Sequence, residues 1–216
     1  MGFEEILIVA IPSFVTFFVI IDPIGIAPIF GSLTTGTSEK YKLSMAWRGP
    51  LIGALILLFF AFAGKPFMAA LGISMPAFKT AGGVLLLLIA IEMVFERRTK
   101  KREARAEDVL EDIEEVEHED IAVFPIGVPM IAGPGSITTV MLLMNNYNGS
   151  PLNQALVVGS LLMVILTSFL ILWLASGLME KLGTSVTKVL TRVLGIILSA
   201  LAIQYIFDGL YSGLFS

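Results

Sequence analysis

The chain has 216 residues, 56% of them hydrophobic and 15% charged, with no cysteine, one histidine and a formal charge of -4. A soluble domain carries about 25% charged residues, so the apolar excess is too large for one water-soluble core. The missing cysteines exclude disulfides, thiolate metal ligands and cysteine nucleophiles. His118 stands alone in an acidic loop, which excludes a histidine-built zinc centre or a serine–histidine triad in the membrane.

A bilayer core of about 30 Å needs about 20 helical residues, and that ruler gives six segments: 5–33, 49–69, 76–95, 121–145, 153–178 and 188–211. The N-terminus is acidic from Met1 to Glu5 and lacks a small-residue cleavage site, so segment one reads as a retained helix and not a signal peptide. Segment one carries Asp22 beyond its middle, followed by Pro23, Ile24, Gly25 and Pro28. Proline removes a backbone donor and pushes the preceding residue out of helical geometry, so DPIGIAP is expected to interrupt the helix within the membrane. An ionisable group inside a span is costly and usually serves function; Asp22 also suits an N-cap for a half-helix starting at Pro23. Thr16 lies within reach of a central cavity, or bonds its own helix backbone.

Segments two and three are apolar; Glu92 lies near the end of segment three, where it is either functional or merely solvated. The 97–120 connector begins basic (RRTKKR) and ends acidic (EDIEEVEHED), with Val109, Leu110, Ile113 and Val116 at helical spacing. It reads as a solvated link holding a short amphipathic helix; a metal site at His118 is the less favoured alternative. Segment four has Pro125, Gly127, Pro129 and a dense break at Gly133, Pro134 and Gly135. Ser136, Thr138 and Thr139 follow, as hydroxyls available to cap a new helix start. Asn145 and Asn146 read as interface caps. Segments five and six are uninterrupted.

Basic residues give the direction. Of the 14, Lys40, Lys42 and Arg48 follow segment one, the RRTKKR cluster and Arg105 follow segment three, and Lys181, Lys188 and Arg192 follow segment five; only Lys65 and Lys79 fall on the other side. The positive-inside rule then places both termini outside and the 96–120 loop in the cytoplasm of a multi-pass cell-membrane protein.

The chain also repeats itself at an offset of 111 to 112 residues. Gly83 meets Gly195, Ala90 meets Ala202, Glu92 meets Gln204, and Asp22-Pro23-Ile24-Gly25 falls on Gly133-Pro134-Gly135-Ser136. Three spans per copy force the second copy to enter from the opposite side. The expected fold is therefore an all-α integral membrane protein. Its six transmembrane helices form two inverted three-helix repeats, 1–96 and 121–216, and the first helix of each repeat is discontinuous. Broken backbone persists in a membrane only inside protein or beside a water-filled cavity, and each break offers free N–H groups to an anion. The two breaks are expected to meet at mid-membrane as a binding site; the alternative is a pair of packing kinks.

DPIGIAPIF and IAGPGSITTVM, together with GGVLLLLIAIEM and RVLGIILSALAIQ, resemble the MarC family of bacterial and archaeal membrane proteins over essentially the whole chain. The resemblance is close to archaeal members described as small neutral amino acid transporters, and it implies glycine or alanine as the solute. On that basis the solute carboxylate is expected on N–H groups around Gly135 and Ser136. Its ammonium is expected at Asp22 or the carbonyls around Ile21 to Gly25. Gly133, Pro134, Thr138 and Thr16 complete the expected binding set. Coupling to H+ or Na+ is expected through Asp22, with no other cofactor and no metal. A channel or passive exporter, and a structural or regulatory membrane protein, are the alternatives. No nucleophile–base pair or phosphate loop points to an enzyme or a nucleic-acid partner, and a homo-oligomer is left open.

Overall fold

The computed structural model describes residues 3–104, 120–178 and 184–215. Helices α1 (Phe3–Ile21) and α2 (Pro23–Leu33) are followed by α3 (Glu39–Ala70) and α4 (Met75–Val94). A further helical stretch, α5, covers residues 97–104. After residue 120 come a wide π-type helical stretch over Ala122–Ile131, whose backbone leaves helical geometry at Phe124 and Val128, and then α6 (Pro134–Asn146), α7 (Pro151–Leu178) and α8 (Thr184–Leu214). Among the described residues five stretches are long and apolar enough to cross a membrane, and Ala122–Ile131 with Pro134–Asn146, bent by 54°, makes a sixth. His118 and the amphipathic pattern from Val109 to Val116 lie outside the described residues.

Two boundaries differ from the hydropathy reading. The second span begins at Glu39 and not at 49, because Ser38 caps the helix by accepting from the Tyr41 N–H. Lys40, Lys42 and Arg48 therefore ride on a helical extension and not in a loop, with Lys42 bridging Glu39 one turn away at 2.9 Å. Hydropathy registers only the lipid-solvated part of such a helix. The connector also starts differently. Glu96 adopts φ 58°, and the chain continues as α5, which turns inward against α1 and α4 and is not simply solvated.

Packing in lipid depends on close backbone approach more than on apolar burial. One face of α3, running through Met45, Gly49, Gly53, Leu57, Ala61, Gly64 and Met68, is buried. A methyl group placed on Gly49 would stand 2.5 Å from Ile126 Cγ2, one on Gly64 would stand 2.6 Å from Met141 Cγ, and one on Gly53 would overlap Ile131. This face is thus seated on the Ala122–Ile131 stretch and α6. The most extensive helix pair is α4 with α8. There Gly83 abuts the Ala202 carbonyl, and Gly195 abuts the Ala90 carbonyl.

Candidate functional site

The first break is a single residue. Asp22 has φ 57° and ψ 61°, a left-handed conformation that Asp tolerates better than most residues. Pro23 disfavours helical geometry for the residue before it and is itself well placed at a helix start. The Asp22 carboxylate caps α2 by accepting from the Gly25 N–H at 3.1 Å. A side chain at Gly25 would overlap that carboxylate. The axis carries on across the break, because the Asp22 N–H reaches the Phe18 carbonyl and the Asp22 carbonyl accepts from the Ile26 N–H. Pro28 lies inside α2 without ending it, so the interruption is narrower than DPIGIAP suggests. The Gly25 N–H, given to Asp22, is the donor the Ile21 carbonyl would have received in a continuous helix.

The second break is broad. Cis peptide bonds precede Pro125 and Pro129, and six-residue turns join Ile126 N–H to Ile121 O and Ala132 N–H to Gly127 O. Gly133 is extended, and α6 starts at Pro134 with no side-chain cap. The expected hydroxyl capping is therefore not seen: Ser136, Thr138 and Thr139 are buried within the helix. The N–H groups of Gly135 and Ser136 belong to the first turn, where no intrahelical acceptor exists.

Arginines from α5 join the breaks. Arg102 donates to Asp22 Oδ2 at 3.1 Å, to the Ile21 carbonyl at 3.3 Å and to the Met130 carbonyl at 3.4 Å. Its side chain is 7% exposed and that of Asp22 1%, so this is a buried ion pair. Arg98 donates to the Ile20 carbonyl at 2.7 Å, and Lys101 pairs with Glu92. Sequence reasoning placed these side chains in a water-facing run. The available signal was the spacing of Arg98 and Arg102, one helical turn apart directly after a span.

Beside them is a cavity of about 270 Å³. Gly133, Pro134, Gly135 and Ser136 form one wall, with Leu85, Leu88 and Ile89 opposite and Glu92, Arg98, Lys101 and Arg102 at the charged end. From Glu92 to Leu85 the wall descends about 10 Å along α4. Of the sequence-predicted residues, those of the second break therefore line the cavity. Asp22, Pro23, Ile24 and Gly25 do not; Asp22 lies behind Arg102. Thr138 packs against Gly82, and Thr16 donates to the Pro12 carbonyl at 2.7 Å, a bond to its own helix. Gln204, the repeat partner of Glu92, bonds Asp208 on the exposed face of α8. A second cavity, about 190 Å³, lies at the other end of α6, lined by Lys65, Asn145, Asn148 and Gln154 among others. Between the two, Val140, Leu142 and Leu143 are buried. Among the described residues no cluster of acidic and histidine side chains is arranged to hold a metal.

The sequence profile of MarC family integral membrane proteins matches residues 7–214. The chain belongs to the MarC family. Among its relatives, a UPF0056 membrane protein of Methanocaldococcus jannaschii is 34% identical over 202 residues, covering 94% of this chain and 96% of the relative. The UPF0056 membrane protein YvbG of Bacillus subtilis is 31% identical over 197 residues, covering 91% and 92%. No solved structure matches. Both helix breaks, α5 and the cavity lie inside the span matched by the MarC profile. The protein is thus a multi-pass integral membrane protein, whose cavity sits beside the second of its two breaks.

Proposed function

We propose that this MarC protein is an alternating-access carrier of small neutral amino acids such as glycine and alanine. The observation that carries the reading is the cavity at the start of α6, which joins a free helix N-terminus to charged side chains of both signs and ends at Ser136, 2% exposed. A carboxylate is stabilised by the first-turn N–H groups of Gly135 and Ser136 and by Arg98 nearby. An ammonium finds Glu92 in the same cavity. The volume lies at the small end of ligand sites, which suits a solute of few atoms. The buried stretch of α6 between the two cavities favours a carrier over an open pore. With the basic loops in the cytoplasm and both termini outside, the α6 N-terminal cavity faces inward. H+ or Na+ coupling is assigned to Asp22.

Glycine flux into proteoliposomes tests the reading. Wild type should show saturable uptake, accelerated by unlabelled glycine on the opposite side, and Gly135→Val should abolish it, since a side chain there is forced against Ile89 and Ile20 and displaces the cavity wall. Asp22→Asn should uncouple flux from the ion gradient. Absence of saturable flux removes the solute; flux without trans-acceleration makes the protein a channel.

A further inference from the structure

The acceptors gathered at the first break converge on one point, and a side chain of the chain itself fills it. Asp22 Oδ2 and the carbonyls of Ile21 and Met130 all accept from the Arg102 guanidinium. Two of these groups belong to the first break and the third to the stretch leading into the second, so the cup exists only where the halves meet. One carboxylate and two carbonyls facing a common centre make a site for a cation with several donors. A primary ammonium, with three donors and no acceptor, satisfies that set as a guanidinium does.

The helix that delivers Arg102 is held in an unusual way. Residues 97–104 read RRTKKREA and offer no apolar side chain larger than alanine to the protein. What ties α5 down is polar: Arg102 in the cup, Arg98 on the Ile20 carbonyl and Lys101 on Glu92. A helix docked through polar side chains is loosened when another cation takes the place of one of them. Arg102 also lines the cavity while Asp22 does not. A solute in the cavity therefore reaches Asp22 only by displacing the guanidinium.

We propose that Asp22 and the carbonyls of Ile21 and Met130 form a subsite for a primary ammonium group, which Arg102 occupies as the chain's own stand-in, so that α5 is the gate between cavity and subsite. The gate rests on the reading of the cavity as the solute path, and the test below uses neither glycine nor flux. A protein that passes it yet carries no glycine keeps the gate and loses only the solute assignment. One that carries glycine and fails it loses the gate alone.

The absence of cysteine makes Ser136→Cys a unique thiol in the cavity floor. In nanodiscs, a membrane-impermeant maleimide should label Ser136→Cys at least about tenfold faster when Arg102→Ala is added, as expected when a buried ion pair that holds a two-state element is lost. Arg102→Lys keeps a cation in the cup and should label at the Ser136→Cys rate. Methylammonium chloride, compared with equal sodium chloride, should raise the thermal midpoint of Arg102→Ala and leave that of the Asp22→Asn/Arg102→Ala double variant unchanged. Equal labelling with and without Arg102, or methylammonium acting no better than sodium, overturns the proposal. If Arg102→Ala does not fold, Arg102→Gln, which drops the charge while keeping donors to the carbonyls, carries the same two measurements.

Discussion

Asp22 has two duties that most aspartates do not combine. One oxygen caps α2 through the Gly25 N–H, and the other meets the Arg102 guanidinium. The amide of Asp22→Asn can still accept from Gly25, so that substitution isolates the charge. Breaking one partner of a buried pair strands the other and costs about 3–5 kcal/mol. Asp22→Asn and Arg102→Gln should each lower the thermal midpoint in detergent, and the double variant should recover part of the loss; fully additive losses would show that the two side chains act independently. Asp22 was legible in the sequence because a carboxylate inside an apolar run is anomalous by type alone. Arg102 was not, because a basic residue among basic residues just past a span is what solvation predicts. Only the backbone turn at Glu96 brings it back. Thr16 was legible only as a choice between two roles, and its bond to Pro12 accounts for its hydroxyl.

At the scale of elements, proline was a poor predictor of breaks unless something helped it. Pro12, Pro28, Pro50 and Pro66 all lie inside helices. The described spans are interrupted where the residue before proline leaves helical geometry: Asp22 before Pro23, Phe124 before Pro125, Val128 before Pro129 and Gly133 before Pro134. The span count was legible from hydropathy, whereas the extension of α3 to Glu39 was not, because its first turns are polar. The buried glycine face of α3 was also overlooked, although Gly49 and Gly53 are four apart, the spacing that lets backbones meet. Filling that face should hurt by overpacking. Gly53→Leu is expected to cost about 1–3 kcal/mol or more, with Gly53→Ala costing less, read from melting in detergent. Equal stability of the two variants would mean that α3 moves away freely.

For the whole molecule, the contacts between α4 and α8 are reciprocal in the repeat numbering. Gly83 touches Ala202 and Gly195 touches Ala90, and each contact maps onto the other under the offset that pairs Gly83 with Gly195. A pseudo-two-fold between halves would produce such an exchange, as it does in isologous interfaces. The breaks are less alike than the helices they interrupt: one is a single residue within a span that stays continuous from Ile6 to Leu33, the other is bent by 54°. Exposed aromatics support the membrane reading, with Trp47 and Trp173 about half exposed, both near the ends of their helices, where aromatic belts lie.

The position of the Arg102 cup carries an electrical consequence. Asp22 stands eleven residues before the end of α2 at Leu33, about 16 Å along the axis and thus about half of a 30 Å hydrocarbon core. In the proposed orientation, with the basic residues in the cytoplasm, a guanidinium that leaves the cup for the cytoplasm crosses that fraction of the transmembrane field, worth about 1 kcal/mol at 100 mV. The potential of an energised cell, negative inside, pulls it outward from the cup and toward the cytosol. α5 would then act as a weak voltage sensor. In vesicles clamped by a potassium gradient and valinomycin, labelling of Ser136→Cys should run several-fold faster at about 100 mV, inside negative, than at zero. With Arg102→Gln the dependence should vanish, since the charge that feels the field is gone.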